Sequence, residues 1–181
     1  MPGANKLMTP GGGGVIIQPA SSIAADVTVQ VPSQNCTLGI QGPAFSAYNN
    51  GGQSINSAVA TKVQFQTEEF DTNGCFDNTT NYRFTPNVAG YYQISSCILA
   101  SGLITGGLCF SYLYKNGVVF KRYGQSPANW YSSQGTTLVY ANGTTDYFEV
   151  YFQQNSGANI TTESSDPARY TWFQAALVRA A

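Results

Sequence analysis

From Gly42 onward the apolar residues of this chain recur at alternate positions over short runs, and the runs are separated by clusters of Gly, Asn, Asp or Pro. Successive side chains of a strand point to opposite faces, so the pattern describes strands with one face turned inward. No segment carries the sustained period of an amphipathic helix. Strands are expected at Ala44–Tyr48, Ala60–Phe70, Tyr82–Phe84, Gly90–Ala100, Gly107–Lys115, Val118–Tyr123, Gly135–Ala141, Tyr147–Gln154 and Thr171–Arg179. A recurrence of roughly 8 to 15 residues is that of a sandwich or barrel. Asn116-Gly117 lies between two apolar runs, and both residues tolerate positive φ, the strongest short hairpin signal available. Asn142-Gly143 reads as a second such turn.

The alternation also sorts faces. Phe148, Val150 and Phe152 alternate with Tyr147, Glu149, Tyr151 and Gln153, while Leu108, Phe110, Tyr112 and Tyr114 alternate with Cys109, Ser111, Leu113 and Lys115. In both strands the second set also holds apolar or aromatic groups, where a solvated sheet face should be polar. Either these strands are buried on both faces within one domain, or a neighbouring subunit covers the outer face. On the second reading Tyr147, Tyr151 and Leu113 are the candidate contact residues.

Composition supports an assembly. Of 181 residues only 9% are charged, against about 25% in an average soluble protein, and the net charge is -1. A surface so poor in charge favours association. With no basic cluster, neither a nucleic acid nor an anionic membrane has electrostatic support as a partner, and no run is long enough to insert across a bilayer. The first 18 residues lack the apolar segment of a secretory leader, so synthesis and use without export is the expectation. Cys36, Cys75, Cys97 and Cys109 show no paired metal-ligand spacing and read as reduced, small hydrophobes.

Residues 1–41 form a separate unit, an extended Gly/Pro-rich arm with one or two short strands. Val15, Ile16 and Ile17 make one apolar run; Val27, Val29 and Val31 alternate with Thr28 and Gln30 in another. Both are candidates for docking on a partner. Residues 42–181 form the globular domain.

Chemistry is hard to assemble here. The chain has no histidine, which removes serine and cysteine triads, imidazole acid–base work and His-based metal sites. Glu68 and Glu69 are neighbours on a strand and point apart. "DTNGCFDN" (Asp71–Asn78) offers oxygen ligands for calcium but lacks the EF-hand spacing. "GGGG" (Gly11–Gly14) is followed by no Lys-Ser/Thr and opens no helix, so it is no phosphate loop. No catalytic residue, cofactor or metal is expected, and the protein is read as not an enzyme.

The stretch "YRFTPNVAGYYQIS" (Tyr82–Ser95) crowds aromatics around one proline and one glycine. Pro86 and Asn87 suit a turn, Gly90 is expected to permit a conformation that other residues resist, and the strand after it carries Tyr92 and Ile94 inward. Asp71 suits a cap on the turn that follows it. Taken with its surroundings, the set Phe65, Asp71, Phe76, Phe84, Gly90 and Tyr92 resembles the signature of the globular head of complement component 1q, whose jelly roll is shared with the tumour necrosis factors. "SYLYKNG" (Ser111–Gly117), "TTDYFEVYF" (Thr144–Phe152) and "YTWFQAALV" (Tyr170–Val178) resemble later segments of that domain. Phe76 to Phe84 is one residue longer than the family spacing, and Ile94 and Ser96 stand where aromatics are usual. The resemblance implies a jelly-roll sandwich over residues 42–181 that assembles as a homotrimer. It also leaves room for calcium, which some members bind.

The opening "GGGGVIIQPASSIAADVTVQVP" (Gly11–Pro32) is similar to those of short phage structural proteins. The leading expectation is therefore a virion structural protein, a bacteriophage capsid decoration (cement) protein made in the host cytoplasm, whose arm lies on the major capsid protein. The alternative is the tip of a tail or head fibre that recognises a host surface glycan or protein receptor through the loop carrying Trp130 and Tyr131.

Overall fold

The computed structural model describes residues 5–8, 14–17, 42–102, 107–127, 131–164 and 168–181, and among these residues every regular element is a strand. The chain divides into two compact units, residues 1–39 and residues 40–181. In the first, β1 (Asn5–Met8) and β2 (Gly14–Ile17) pair antiparallel, with Asn5 opposite Ile17 and Met8 opposite Gly14. Val15–Ile17 is thus the second strand of a hairpin, whose partner Asn5–Met8 has too few apolar residues to show alternation. Val27, Val29 and Val31 lie outside the described residues.

The second unit holds two antiparallel sheets. One is built on β9 (Gly90–Ser101), with β12 (Tyr131–Ala141) along one edge and β15 (Trp172–Ala180) along the other. β15 pairs on with β3 (Ala44–Tyr48), and β3 with β6 (Thr67–Asp71). The short strands β14 (Ile160–Thr162) and β4 (Ser54–Ile55) continue this sheet beyond the end of β15. The other sheet runs from β11 (Val118–Pro127) through β10 (Leu108–Lys115) to β13 (Phe148–Gln154). On the far edge of β13 sit β5 (Thr61–Lys62) and β8 (Arg83–Phe84), the latter paired with β7 (Phe76–Asp77).

Aromatic rings fill the gap between the sheets. Phe45 stacks on Phe76 at 4.5 Å between centroids and meets Phe84 at 4.8 Å and Phe173 at 5.0 Å. Phe65 packs on Phe173, and Phe84 touches both Tyr92 and Phe148. The Tyr92 hydroxyl, fully enclosed, donates to the Val88 carbonyl at 2.7 Å, which settles its one polar atom.

Three expectations are corrected by this arrangement. Ala60–Phe70 is not one strand: Thr61–Lys62 belongs to the sheet of β13 and Thr67–Asp71 to that of β3. Between them the chain crosses from sheet to sheet and drops Val63 and Phe65 into the core. Leu113 does not face outward. Cys109, Ser111 and Leu113 are buried, and Phe110, Tyr112 and Tyr114 stand on the outer face. The inward place of Ser111 is tolerated because its backbone N–H and hydroxyl both reach the Ser133 hydroxyl, at 2.9 and 2.8 Å. The tyrosines, each with a hydroxyl needing a partner, take the wet side. Gly90, finally, has no unusual φ; it is required because the Arg179 carbonyl oxygen lies 2.4 Å from where a Cβ would stand.

The turn at Asn116-Gly117 does have positive φ at both residues, 55° and 77°. It is fixed by its own side chain, since Asn116 Nδ2 donates to Asp146 Oδ1 at 2.7 Å and the Tyr147 N–H donates to Asn116 Oδ1 at 2.9 Å. Burial pushes the Asp146 carboxyl up, but the bonds from Asn116, Lys115 and the Asn142 amide outweigh it and hold it below its usual range. That stabilisation is complete above about pH 4 and is lost as pH falls through the lowered value. Asn116→Asp removes the donor and sets a second carboxylate against that of Asp146. We expect a loss of about 1–3 kcal/mol at pH 7, measured by urea unfolding. The gap from wild type should close on acidification, because wild type then loses what the variant never had.

Candidate interaction surfaces

Two of the domain's carboxylates, those of Asp71 and Asp77, serve loops. Asp71 Oδ1 accepts from the Asn73 N–H at 3.1 Å, and Oδ2 from the Phe76 N–H at 2.7 Å. Asp77 accepts from the amides of Thr79, Thr80 and Asn81 and from Asn81 Nδ2. The Thr80 amide leads in holding the Asp77 carboxyl far below the ordinary range, together with the amides of Thr79 and Asn81 and the Asn81 side chain. These carboxylates are occupied with backbone capping, and among the described residues no group of three His, Cys, Asp or Glu side chains converges on a common point. Cys75 and Cys97 carry unpaired thiols, pushed up by burial; Cys36 lies outside the described residues.

The outer face of the β10–β13 sheet is aromatic but covers itself. Tyr114 stacks on Tyr151 at 4.0 Å, Tyr112 meets Tyr114 edge-on, and the Tyr112 hydroxyl donates to Gln153 Oε1 at 3.1 Å. The Arg122 guanidinium lies 4.0 Å above Phe110, Arg83 lies 4.5 Å above Tyr147, and Lys62 Nζ reaches Glu149 Oε1 at 3.1 Å. Tyr147 and Tyr151 are therefore half-buried within their own chain. Burial raises the Tyr151 hydroxyl, with the charge of Glu149 adding to it.

Apart from Val59 and Val178, the bare apolar groups sit toward the two flanks of the sandwich. On the first, Val118 is 69% exposed and Leu138 61%, with Val119, Phe120, Tyr140 and Tyr91 also open. The flank is one surface, because β12 is tied at one end to β11 and at the other to the last residue of β10, beside the turn into β11. Ser133 Oγ donates to the Gly124 carbonyl at 2.5 Å, and Lys115 Nζ donates to the Tyr140 carbonyl at 2.8 Å. On the second flank, Phe70 is 52% exposed and Tyr170 44%, beside Glu68 and Glu69. Arg169 pairs with Glu69 and lies over Tyr48.

Sequence reasoning identified neither flank. The signal lay in "VVFKR" (Val118–Arg122), an apolar run without alternation directly after a hairpin turn, which is how an edge strand with two differently used faces reads. Of the loop expected to recognise a receptor, Trp130 lies outside the described residues, and Tyr131 is the first residue of β12, its backbone opposite Ala100.

Two facing antiparallel sheets in this strand order, with no helix among the described residues, make the domain an all-β jelly roll of the complement 1q/TNF type. No protein-family model matches the chain, and no curated protein matches it by sequence. Solved structures do. The globular domain of zebrafish complement 1qA protein superposes with a TM-score of 0.52 at 18% identity, over 77% of this chain and 99% of that one. Murine APRIL gives 0.56 at 12%, over 76% and 100%. The phage PRD1 vertex protein P5 gives 0.54 at 16%, over 78% and 100%.

Proposed function

We propose that the chain is a non-enzymatic structural protein of a virion, a homotrimer on the capsid surface that decorates and clamps the major capsid protein through its arm. The observation that carries this reading is the likeness of the jelly roll to a virion vertex protein over the whole of that chain. The exposed apolar flanks of a nearly uncharged chain support self-association.

The arm supplies the grip. A two-stranded hairpin is marginal in water on its own, so β1–β2 gains most of its stability by lying on another surface or by adding to an exposed sheet edge. Three arms from one trimer multiply that gain, since each further contact forms within an already bound particle at high effective concentration. A chain lacking residues 1–30 is expected to remain a soluble trimer and to stop co-sedimenting with capsids that have been stripped of it. Capsid binding retained after this truncation would remove the arm from the mechanism.

A further inference from the structure

Asn-Gly pairs stand outside the strands at Asn50, Asn73, Asn116 and Asn142. In such a pair the glycine nitrogen can attack the asparagine Cγ, because no Cβ of the second residue stands in the way. The attack also needs a side-chain amide free to turn toward that nitrogen. Three of the pairs lack this freedom. Asn116 is held at both ends, Nδ2 on Asp146 and Oδ1 on the Tyr147 N–H. Asn142 Oδ1 takes the amides of Thr144, Thr145 and Asp146, and its Nδ2 donates to Thr145 Oγ1 at 2.8 Å. Asn50 Nδ2 donates to the Thr67 hydroxyl. Asn73 differs. It is exposed, and among the described residues its Nδ2 has no partner. Its Oδ1 lies 3.0 Å from the Thr72 hydroxyl, whose proton is also within reach of the Gly42 and Ala44 carbonyls. The Gly74 N–H donates to no acceptor among the described residues, its φ is 61°, and nothing lies within 4 Å of where a Cβ would stand.

We propose that Asn73 is a site of spontaneous covalent modification, deamidation through a cyclic imide, and that the change loosens the corner between β6 and β7. The Gly74 amide gives its proton to hydroxide, and its nitrogen bonds to Asn73 Cγ. The Cγ–Nδ2 bond then breaks, and Nδ2 leaves as ammonia with a proton taken from water. A bond from the Thr72 hydroxyl stabilises the charge that gathers on Oδ1 during the addition. Water next opens the imide at either carbonyl, giving aspartate or its β-linked isomer, whose main chain is longer by a methylene. The position decides the consequence. Asp71 spans the turn, with Oδ1 on the Asn73 N–H at 3.1 Å and Oδ2 on the Phe76 N–H at 2.7 Å, and Asn87 Nδ2 reaches the Asn73 carbonyl at 3.3 Å. A lengthened main chain cannot keep all of these bonds, and the new carboxylate stands beside that of Asp71. Phe76, which ends the turn, is the ring stacked on Phe45. The modification thus acts as a one-way timer on the packing that closes the sandwich, whatever partners the protein has.

Ageing the full chain in neutral and in alkaline buffer tests this, with peptide mass spectrometry following each Asn-Gly pair and an isoaspartate methyltransferase counting the β-linked product. The same chain unfolded in urea is the reference, in which the pairs should react alike. In the folded chain Asn73 should convert first, at least about tenfold faster than Asn116 or Asn142, whose hydrogen bonds must break beforehand. Asn50 should fall between, and the rate at Asn73 should rise with hydroxide. Another pair leading, or all reacting alike in the folded chain, overturns the assignment. So does a folded chain that forms no acid at Asn73 while the unfolded chain does. Hydrogen exchange at the Phe76 amide reads the consequence, and aged wild type should exchange there at least about threefold faster than fresh protein. Asn73→Gln, shown to be folded by circular dichroism, should resist both changes. Freshly made Asn73→Asp carries the charge without the added methylene and should show a smaller acceleration. Conversion at Asn73 with unchanged exchange at Phe76 would uphold the site and overturn the loosening.

Discussion

Phe45→Ala is expected to cost about 3–5 kcal/mol of folding stability, the range for truncating a buried phenylalanine. Total stabilities are typically about 5–15 kcal/mol, so the variant should stand near the edge of folding. Phe45 is 1% exposed and is the one ring in direct contact with Phe76, Phe84 and Phe173. It therefore joins β3 and β15 of one sheet to β7 and β8 of the other. β7 and β8 are two residues long and make only a short ladder, with Phe76 opposite Phe84 and Asp77 opposite Arg83. Packing, more than backbone pairing, keeps that corner closed. Thermal unfolding should show a midpoint lowered by roughly 10 °C. Hydrogen exchange at the amides of Phe76 and Phe84 should accelerate before that of β9 or β13, because local opening follows the weakest packed unit. Phe45→Leu, which keeps most of the volume, should lose less than half as much. A loss below about 1 kcal/mol for Phe45→Ala would mean that the ring cluster is not what closes the sandwich.

What could be read in the sequence follows from where the information is local. β3 coincides with the expected Ala44–Tyr48, and β9, β13 and β15 differ from expectation by a residue or so at an end, because long half-buried strands repeat their period several times. β4, β7 and β14 hold two or three residues and offer no period to detect. The facing of β10 is a different failure. Both of its faces are apolar, so the choice between them depended on what stands across the gap: Ser133 waits there for Ser111, a fact of pairing between distant strands. Gly90 was picked out for the wrong reason on the same ground, since the demand for a missing side chain comes from Arg179, almost ninety residues later. The exposed flanks were invisible for a related cause. Which strand is an edge is a property of sheet order, and Val118–Phe120 reads like any buried run until β11 is seen to have one neighbour.

Gly143→Ala is the second large effect, and it separates two costs that usually arrive together. Gly143 has φ of 74°, in the left-handed region, where an L-residue loses about 1–2 kcal/mol. A Cβ there would also stand 2.3 Å from the Ala89 nitrogen and 2.7 Å from the Val88 carbonyl carbon. Those are backbone atoms leading into β9, and they cannot turn aside as a flexible side chain would. Nor can the glycine side yield easily. Asn142 Oδ1 accepts from the amides of Thr144, Thr145 and Asp146, each at 3.0 Å, and Asp146 is held by Lys115 at 2.9 Å. Overpacking of this kind adds about 1–3 kcal/mol. Gly157 supplies the control: its φ is 86°, but nothing lies within 4 Å of the added atom. Gly157→Ala should therefore show the conformational cost alone, about 1 kcal/mol by urea unfolding. The excess of Gly143→Ala over it measures the close approach of the 142–146 loop to the start of β9. Equal losses at the two positions would show that the loop moves away freely and that the bonds around Asn142 and Asp146 do not hold it against the sandwich.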